Sequence, residues 1–303
     1  MSGTPAAAGA LAVHARKRKR PSFWASQVLK YVLLLVLSAS FMLPLFWMIA
    51  SSLKTSGQII AIPPIWWPNP IRWANYPEAW ATDRYALYLF NTVFRYALPV
   101  TLLSVFSNVV VAYGFSRLRW PGRETLFSIL LATMMIPGQV YMVPLYIIYR
   151  RLGWINSYYP LTVPAIFANA YYVFLLRQFF RTIPNELSEA ACIDGAGEWS
   201  ILWRIIIPLV RPAIAVIALT TFTGAWNDYM GPLIYINKTD IYPFSLALGR
   251  IGAALSQVGA INKGLYYSYE MAISAIFTIP VILLFYFAQR TFIEGIKLTG
   301  IKG

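Results

Sequence analysis

The chain has 303 residues, of which 58% are hydrophobic and only 12% are charged, and its formal net charge is +14. Soluble globular domains carry about 25% charged residues, so this composition excludes that class and indicates an integral membrane protein. The Lys and Arg residues flank apolar segments instead of gathering in one basic domain. We therefore predict that the chain does not bind nucleic acid.

The N-terminal segment, residues 1–27, is predicted to be a disordered cytoplasmic tail, because its first part is rich in Ala and Gly and has no apolar periodicity. A basic cluster at residues 16–20 precedes the apolar run Tyr31–Ser51. Secretory signal peptides share that order, but this run exceeds their apolar region of roughly 7–15 residues and has no small-residue cleavage site. The run is better explained as the first transmembrane helix, which together with an outer loop occupies residues 28–86.

Taking about 20 apolar residues as one span, the sequence predicts six transmembrane helices and an all-α membrane protein. The predicted spans are Tyr31–Ser51, Val93–Phe115, Thr125–Tyr146, Tyr158–Leu176, Ala213–Ile236 and Ala272–Ala288. Residues 87–290 form the main transmembrane domain, and residues 291–303 form a cytoplasmic C-terminal tail. Proline interrupts several spans, which membrane helices tolerate where neighbouring helices satisfy the freed carbonyl groups.

The distribution of basic residues predicts the orientation of the chain. With the N-terminus in the cytoplasm, the inner segments hold most of the Lys and Arg residues, as the positive-inside rule requires. Arg150 and Arg151 fall on the outer side and are exceptions. Both termini are therefore predicted to be cytoplasmic, with two long outer loops at residues 53–90 and 237–270. The second of these loops carries four glycines: Gly249, Gly252, Gly259 and Gly264.

A polar and then amphipathic segment, residues 184–212, lies between the fourth and fifth spans on the predicted cytoplasmic side. Its first part has the sequence pattern of a short helix with Glu186 and Glu189 in the positive first turn. The helix has a small apolar face, formed by Leu187, Ala190 and Ala191. Asp194 and Gly195 supply turn residues that end it.

A second amphipathic stretch follows and is punctuated by Pro208 and Pro212. Helical spacing places four large apolar residues on one side of this stretch: Trp199, Leu202, Trp203 and Ile206. We interpret residues 184–212 as a docking element of two short helices joined at a glycine. The rest of the chain is then the membrane body that this element moves.

The segment resembles the EAA loop in the membrane subunits of binding-protein-dependent ABC importers. The resemblance rests on Glu189-Ala190-Ala191, on Asp194-Gly195-Ala196 and on Pro208 after an Ile-rich run. It is closest to the second permease subunit of carbohydrate importers of the maltose type. It covers nearly the whole chain, including the runs PPIWWPN, MIPGQVYMVPLY and GAWNDYMGPL and the ending GIKG.

The resemblance implies the fold of a type I ABC importer transmembrane domain and a role in forming the pathway for a solute, most often a sugar or an oligosaccharide. It also implies the ATPase-coupling residues, which are Glu186, Glu189, Ala190, Ala191, Asp194, Gly195, Ala196 and Pro208. Glu189 would anchor the loop in a cleft of the ATPase, and Gly195 would permit the sharp turn.

The same resemblance implies the partners and the location of the chain. The partners are an ATPase dimer, a second homologous permease subunit, an extracytoplasmic solute-binding protein and membrane lipid. The location is the cell (inner) membrane of a bacterium or an archaeon. ATP and Mg²⁺ would be bound by the partner ATPase, so that no cofactor is expected in this chain.

Three residues of the predicted fifth span, Trp226, Asn227 and Asp228, are candidates for the solute pathway or for a gate. An acidic residue at membrane depth is costly to place, and such residues commonly have a function. The alternative is that Asp228 lies near the outer interface and is hydrogen-bonded to a neighbouring helix. In the maltose-type pair most sugar contacts belong to the sister subunit, so we assign no solute ligand to this chain.

The sequence offers no residues for catalysis and no metal site. His14 is the only histidine, and the phosphate-binding pattern G-x-x-x-x-G-K-[ST] does not occur. We therefore predict a non-catalytic subunit. Two other functions stay open, a self-sufficient secondary carrier and an ABC permease for a solute that is not a sugar. Secondary carriers usually show internal repeats with ionisable residues at the membrane midplane, and six spans with a bare midplane argue against such a carrier.

Overall fold

The computed structural model of the chain describes the backbone of residues 21–257 and 260–300, and the side chains of residues 26–251 and 264–289. Residues 1–20 of the predicted disordered tail lie outside the described residues, whereas residues 21–27 are helical and belong to the helix that continues into the first span, which corrects the predicted boundary. Every regular element within the described ranges is helical, which confirms the predicted all-α fold class.

The helices before residue 165 are α1 (Pro21–Ser52), α2 (Ser56–Ile59), α3 (Asn75–Ala81), α4 (Tyr85–Phe90), α5 (Leu98–Ser116), α6 (Arg123–Thr133), α7 (Gly138–Arg151) and α8 (Tyr159–Thr162). Those after it are α9 (Ala170–Thr182), α10 (Glu186–Ile193), α11 (Glu198–Ile201), α12 (Ile207–Leu209), α13 (Arg211–Asn227), α14 (Met230–Tyr235), α15 (Phe244–Gln257) and α16 (Ala260–Gly300). Two π-helical segments, Asn91–Ala97 and Leu202–Ile206, continue α4 into α5 and α11 into α12.

The chain divides into two compact units after Trp47. The described part of the first unit is a single helix, residues 21–47 of α1. Its surface exposes a run of large apolar side chains, among them Leu35 at 70% and Phe41 at 80% of their full accessible area. A helix with this surface fits a lipid environment and not water.

Four helical stretches are long and apolar enough to cross a membrane: Ser26–Ser52, Tyr85–Ser116, Tyr159–Thr182 and Gly264–Gln289. Two further pairs of helices qualify only if each bent pair is one span. In the first pair α6 and α7 meet at 95°, and in the second Glu198–Leu209 and Arg211–Asn227 meet at 83°. The predicted six spans correspond to the four stretches plus these two pairs.

The structure corrects several predicted boundaries. The third span, predicted as continuous over Thr125–Tyr146, breaks between Thr133 and Gly138, where Pro137 has an extended conformation and cannot donate a helical hydrogen bond. The fifth span ends at Asn227 and not at Ile236. The predicted outer loops contain helices, with α2, α3 and α4 in the first and α15 in the second; Gly259 of the second lies outside the described residues.

The main core of the second unit lies where α5 packs against α9 and α13. Val173, Leu176, Ile206 and Ile217 are almost fully buried there. Arg177 is also buried, and it donates hydrogen bonds to the Phe115 carbonyl (3.0 Å) and to the Glu124 carboxylate (2.7 and 2.8 Å). This side chain therefore links α5, α6 and α9 at one end of the core.

A polar network joins the segment after α1 to α16. Asn75 Nδ2 donates to the carbonyls of Ser52 and Lys54, both at 2.8 Å. Glu78 accepts hydrogen bonds from Tyr269 Oη (2.6 Å) and Arg72 Nη2 (2.9 Å), and these two donors lower the pKa of the Glu78 carboxyl, Tyr269 more strongly. The first predicted outer loop is thus held against α16.

Candidate functional site

Helix α10 is the predicted coupling helix, and the structure gives it the predicted bounds, Glu186–Ile193. Both of its acids lie in the first turn, where the positive end of the helix dipole stabilises them. None of its residues is buried, and two large apolar side chains, Leu187 at 46% and Ile193 at 87%, are exposed. The helix therefore presents an apolar and acidic surface that no part of the described chain covers.

Gly195 ends α10 in the left-handed conformation, with φ = +81°. The N–H of Gly195 donates to the Cys192 carbonyl (3.0 Å), and the N–H of Ala196 donates to the Ala191 carbonyl (2.9 Å). This pair of bonds defines a Schellman motif, in which glycine is favoured because a Cβ at positive φ is strained. The predicted turn at Asp194-Gly195 is confirmed.

Arg117, at the end of α5, holds the start of α10. Its Nη1 donates to Asn185 Oδ1 (2.6 Å), and its Nη2 donates to the carbonyls of Ile183 (2.7 Å) and Phe180. At the other end of the helix, Ala191 and Ala196 are half-buried against the main core. Helix α10 is therefore held at its start by Arg117 and at its end by the main core, while its outer face stays exposed.

The four apolar residues predicted to share one side of a helix, Trp199, Leu202, Trp203 and Ile206, differ in burial. Leu202 and Ile206 are buried, whereas Trp199 and Trp203 are 59% and 49% exposed. Residues Leu202–Ile206 form a π-helical segment, to which the α-helical spacing used in the prediction does not apply. Pro208 is half-buried in α12, at the end of this stretch.

A cavity of about 680 Å³ lies between α5, the α6–α7 bend, the start of α9 and α13. Its lining is aromatic and apolar with a few polar side chains: Ser104, Thr133, Asn169, Tyr172, Thr220 and Thr221. The lining contains no Asp, Glu, Lys or Arg among the described residues. The sequence offered only weak signals for this site, because hydroxyl groups in apolar helices usually bond to their own backbone.

The three residues predicted for the pathway or a gate do not line this cavity. Trp226 is fully buried and stacks on Phe277, with ring centroids 5.0 Å apart. The exposed side chain of Asn227 donates to the Thr223 carbonyl (3.0 Å). The predicted roles of these residues in transport stay predictions.

Asp228 is hydrogen-bonded to a neighbouring helix, as the alternative interpretation proposed. Its Oδ1 accepts from the Gly231 N–H (3.0 Å), its Oδ2 accepts from Tyr96 Oη, and its backbone carbonyl accepts from Ser245 Oγ (2.6 Å). Asp228 therefore joins the end of α13 to α14, to α15 and to the π-helical segment before α5. Among the side chains that the structure describes, no group of three or more His, Cys, Asp or Glu residues is placed to hold a metal ion.

The bent apolar spans and the exposed helix between two of them define the class of the chain as an all-α integral membrane protein. The chain belongs to the family of binding-protein-dependent transport system inner membrane components, which matches residues 104–297.

Two curated relatives agree with this family, and a solved structure shares the fold. The chain is 31% identical over 283 residues, 91% of this chain and 98% of the relative, to the polygalacturonan/rhamnogalacturonan transport system permease protein YtcP of Bacillus subtilis. It is 30% identical over 263 residues, 86% of this chain and 84% of the relative, to the diacetylchitobiose uptake system permease protein NgcG of Streptomyces coelicolor. It also matches a chain of a bacterial ABC transporter involved in the import of the acidic polysaccharide alginate, with a TM-score of 0.78 and 24% identity, covering 90% of this chain and 98% of that chain. The fold is that of a type I ABC importer permease, as predicted.

Proposed function

We propose that this chain is the permease subunit of an ATP-driven importer for a sugar or an oligosaccharide. An extracytoplasmic binding protein delivers the solute, and this chain and a second, homologous permease subunit form the pathway between them. The solute class is supported by the names of the two curated relatives, which are permease proteins for polygalacturonan/rhamnogalacturonan and for diacetylchitobiose.

The observation that carries the proposal is the exposed face of α10. An ATPase dimer that closes on ATP would bind this helix through Glu189 and the apolar residues beside it. Arg117 links the start of α10 to α5 and α9, so a displacement of α10 is transmitted to two spans of the main core. In this mechanism the ATPase subunits bind ATP and Mg²⁺, and this chain performs no catalysis.

The orientation is part of the same proposal. The ATPase is cytoplasmic, so α10 and both termini lie on the cytoplasmic side of the cell membrane. The excess of basic residues in the predicted inner segments supports this arrangement.

In the first step of the test, the tagged chain is purified from native membranes in mild detergent. The proteins that purify with it are then identified by mass spectrometry. We expect an ATPase, a second permease subunit and a binding protein. The purified complex is then reconstituted in proteoliposomes as the wild type and as Gly195→Pro. Proline fixes φ near −65° and lacks an N–H, so it cannot replace a residue at +81° that donates to Cys192. We expect Gly195→Pro to hydrolyse ATP without importing radiolabelled oligosaccharide.

The matched control is Gly197→Ala, because Gly197 has a negative φ and a Cβ built on it has no neighbour within 4 Å. This variant should import as the wild type does. Normal uptake by Gly195→Pro would contradict the assigned coupling role. A chain that purifies alone and transports solute without ATP would be a secondary carrier.

A further inference from the structure

The cavity between α5, the α6–α7 bend, α9 and α13 has the features of a binding site, and neither the family nor its relatives assign it to this chain. Two broken helices open onto it: the chain bends by 95° between α6 and α7, and the helical run Tyr159–Thr182 is interrupted before α9. Breaks of this kind are tolerated at membrane depth where the irregular backbone lines a cavity, and in transporters they commonly surround the solute.

Asn169 supplies a hydrogen-bond donor to this cavity. Its Oδ1 caps α9 by accepting from the N–H groups of Tyr171 (2.9 Å) and Tyr172 (3.4 Å). The cap fixes the side chain, so its Nδ2 cannot turn toward α9. The Nδ2 group has no hydrogen-bond partner among the described residues, and Asn169 is exposed on the cavity lining. Two N–H groups are therefore available to a solute.

Tyr172 supplies an acceptor. Thr220 Oγ1 donates to the Val216 carbonyl (2.8 Å), so the bond between Tyr172 Oη and Thr220 Oγ1 (3.1 Å) has tyrosine as its donor. The lone pairs of Tyr172 Oη then remain available. The neighbouring hydroxyl of Thr221, also on the cavity lining, has no partner in the described part of the chain.

Aromatic side chains form the rest of the recognition surface. Phe167 and Tyr171 line the cavity with 76% and 52% of their areas exposed. Flat aromatic faces next to a few fixed hydrogen-bonding groups suit a sugar ring, which has apolar C–H faces and hydroxyl groups at its edge. The described lining contains no Lys or Arg, so no cation is available there to pair with the carboxylate of an acidic sugar. An unpaired charge at membrane depth is costly.

We infer that this cavity is a solute subsite of the importer, that it binds an uncharged sugar ring, and that this chain contacts the solute directly. The inference rests on the proposed function. It separates this chain from the structurally similar alginate importer, whose named solute is an acidic polysaccharide, and from the relative YtcP, whose named solute polygalacturonan also carries carboxylates.

The test uses the complete importer in proteoliposomes, with its binding protein and ATP, and four radiolabelled probes. Three probes are uncharged (maltotriose, cellobiose and diacetylchitobiose), and the fourth is trigalacturonate. We expect uptake of at least one uncharged probe and none of trigalacturonate. Uptake of trigalacturonate at a comparable rate would overturn the inferred solute class and leave the proposed function intact. Failure of all four probes to enter would contradict the proposed function and with it this inference.

Two variants test the position of the subsite. Asn169→Ser keeps a good cap for α9 and removes the amide donor, so the uptake rate should fall about two- to tenfold, as for one lost hydrogen bond. Gly224→Leu fills the cavity: Gly224 lines it, and a Cβ there meets nothing within 4 Å, so the larger side chain occupies space instead of pushing helices apart. We expect this variant to assemble normally and to import poorly.

The control for the second variant is Gly114→Leu, because Gly114 also lies in a spanning helix with open space at its Cβ and does not line this cavity. A further measurement does not depend on transport. In a Cys192→Ser background, Thr220→Cys should react with a methanethiosulfonate reagent, and the transported probe should slow that reaction. Uptake by Asn169→Ser and Gly224→Leu at the wild-type rate, or labelling of Thr220→Cys that the probe does not change, would overturn the subsite.

Discussion

At the residue scale, Asp228 shows how an acidic side chain is accommodated beside a membrane span. Each of its side-chain oxygens accepts one hydrogen bond, from the Gly231 N–H (3.0 Å) and from Tyr96 Oη. A Cβ on Gly231 would lie 2.5 Å from Asp228 Oδ2, so glycine is required for this close approach. The carboxyl group therefore works as a connector between helices, whatever its part in gating.

The contribution of the connector can be measured with Tyr96→Phe. This change removes the hydrogen bond that the half-buried Asp228 Oδ2 accepts, and the loss of a hydrogen bond to a charged group costs about 1.5–3 kcal/mol of stability. Thermal unfolding of the purified complex should therefore begin at a lower temperature. Tyr159→Phe is the control, because Tyr159 is 58% exposed and its hydroxyl has no partner in the described part of the chain. Equal unfolding temperatures for the two variants would show that the Tyr96–Asp228 bond does not stabilise the fold.

At the element scale, the contact between α2 and α16 depends on a glycine. A Cβ on Gly264 would lie 2.6 Å from the Ser56 carbonyl oxygen and 2.9 Å from Ser56 Cα. These are backbone atoms, which cannot move aside as a flexible side chain can. Gly264→Ala should therefore push α2 away from α16. The free energy of unfolding should fall by about 1–3 kcal/mol, as for other overpacked contacts, and the unfolding temperature should fall with it.

The matched control lies on the other helix of the same contact. A Cβ on Gly57, in α2, would have no neighbouring atom within 4 Å, so Gly57→Ala should leave the unfolding temperature unchanged or raise it slightly. The measured quantity is the difference in unfolding temperature between Gly264→Ala and Gly57→Ala. A loss of stability in Gly57→Ala as large as that in Gly264→Ala would mean that the α2–α16 approach is not the cause.

Local chemistry predicted some elements well. The acids at Glu186 and Glu189 and the glycine at 195 determine the start and the end of α10, because helix dipoles and positive φ act within a few residues. The apolar composition predicted the all-α membrane fold for a different reason. Backbone N–H and C=O groups must be hydrogen-bonded within the protein in lipid, and helices satisfy this need within one segment.

Other features depend on distant parts of the chain. Pro137 predicts a break in the helix, but a proline by itself does not predict the angle of 95° between α6 and α7. The π-helical segment Leu202–Ile206 has no simple sequence signature, and the α-helical spacing did not predict that Leu202 is buried while Trp203 is exposed. The cavity could not be predicted from local sequence patterns, because its lining brings together residues as far apart in the chain as Ser104 and Gly224.

At the scale of the whole molecule, the proposed orientation in the membrane can be tested by labelling a cysteine that the chain already contains. Cys192 is the only cysteine of the chain, and it is exposed on α10. If α10 faces the cytoplasm, a membrane-impermeant maleimide should label Cys192 in inside-out vesicles and not in intact spheroplasts. Bound ATPase should slow the labelling, because this exposed thiol lies on the helix proposed for docking.

The opposite side of the membrane supplies the control. Ile62 lies in the first predicted outer loop and is 95% exposed. In a Cys192→Ser background, Ile62→Cys should react in intact spheroplasts and be protected in sealed inside-out vesicles. Labelling of Cys192 in intact spheroplasts would place α10 on the outer side, where no ATP-driven partner could act on it. That result would contradict the charge-based orientation and the coupling mechanism together, because both require residues 184–212 to lie in the cytoplasm.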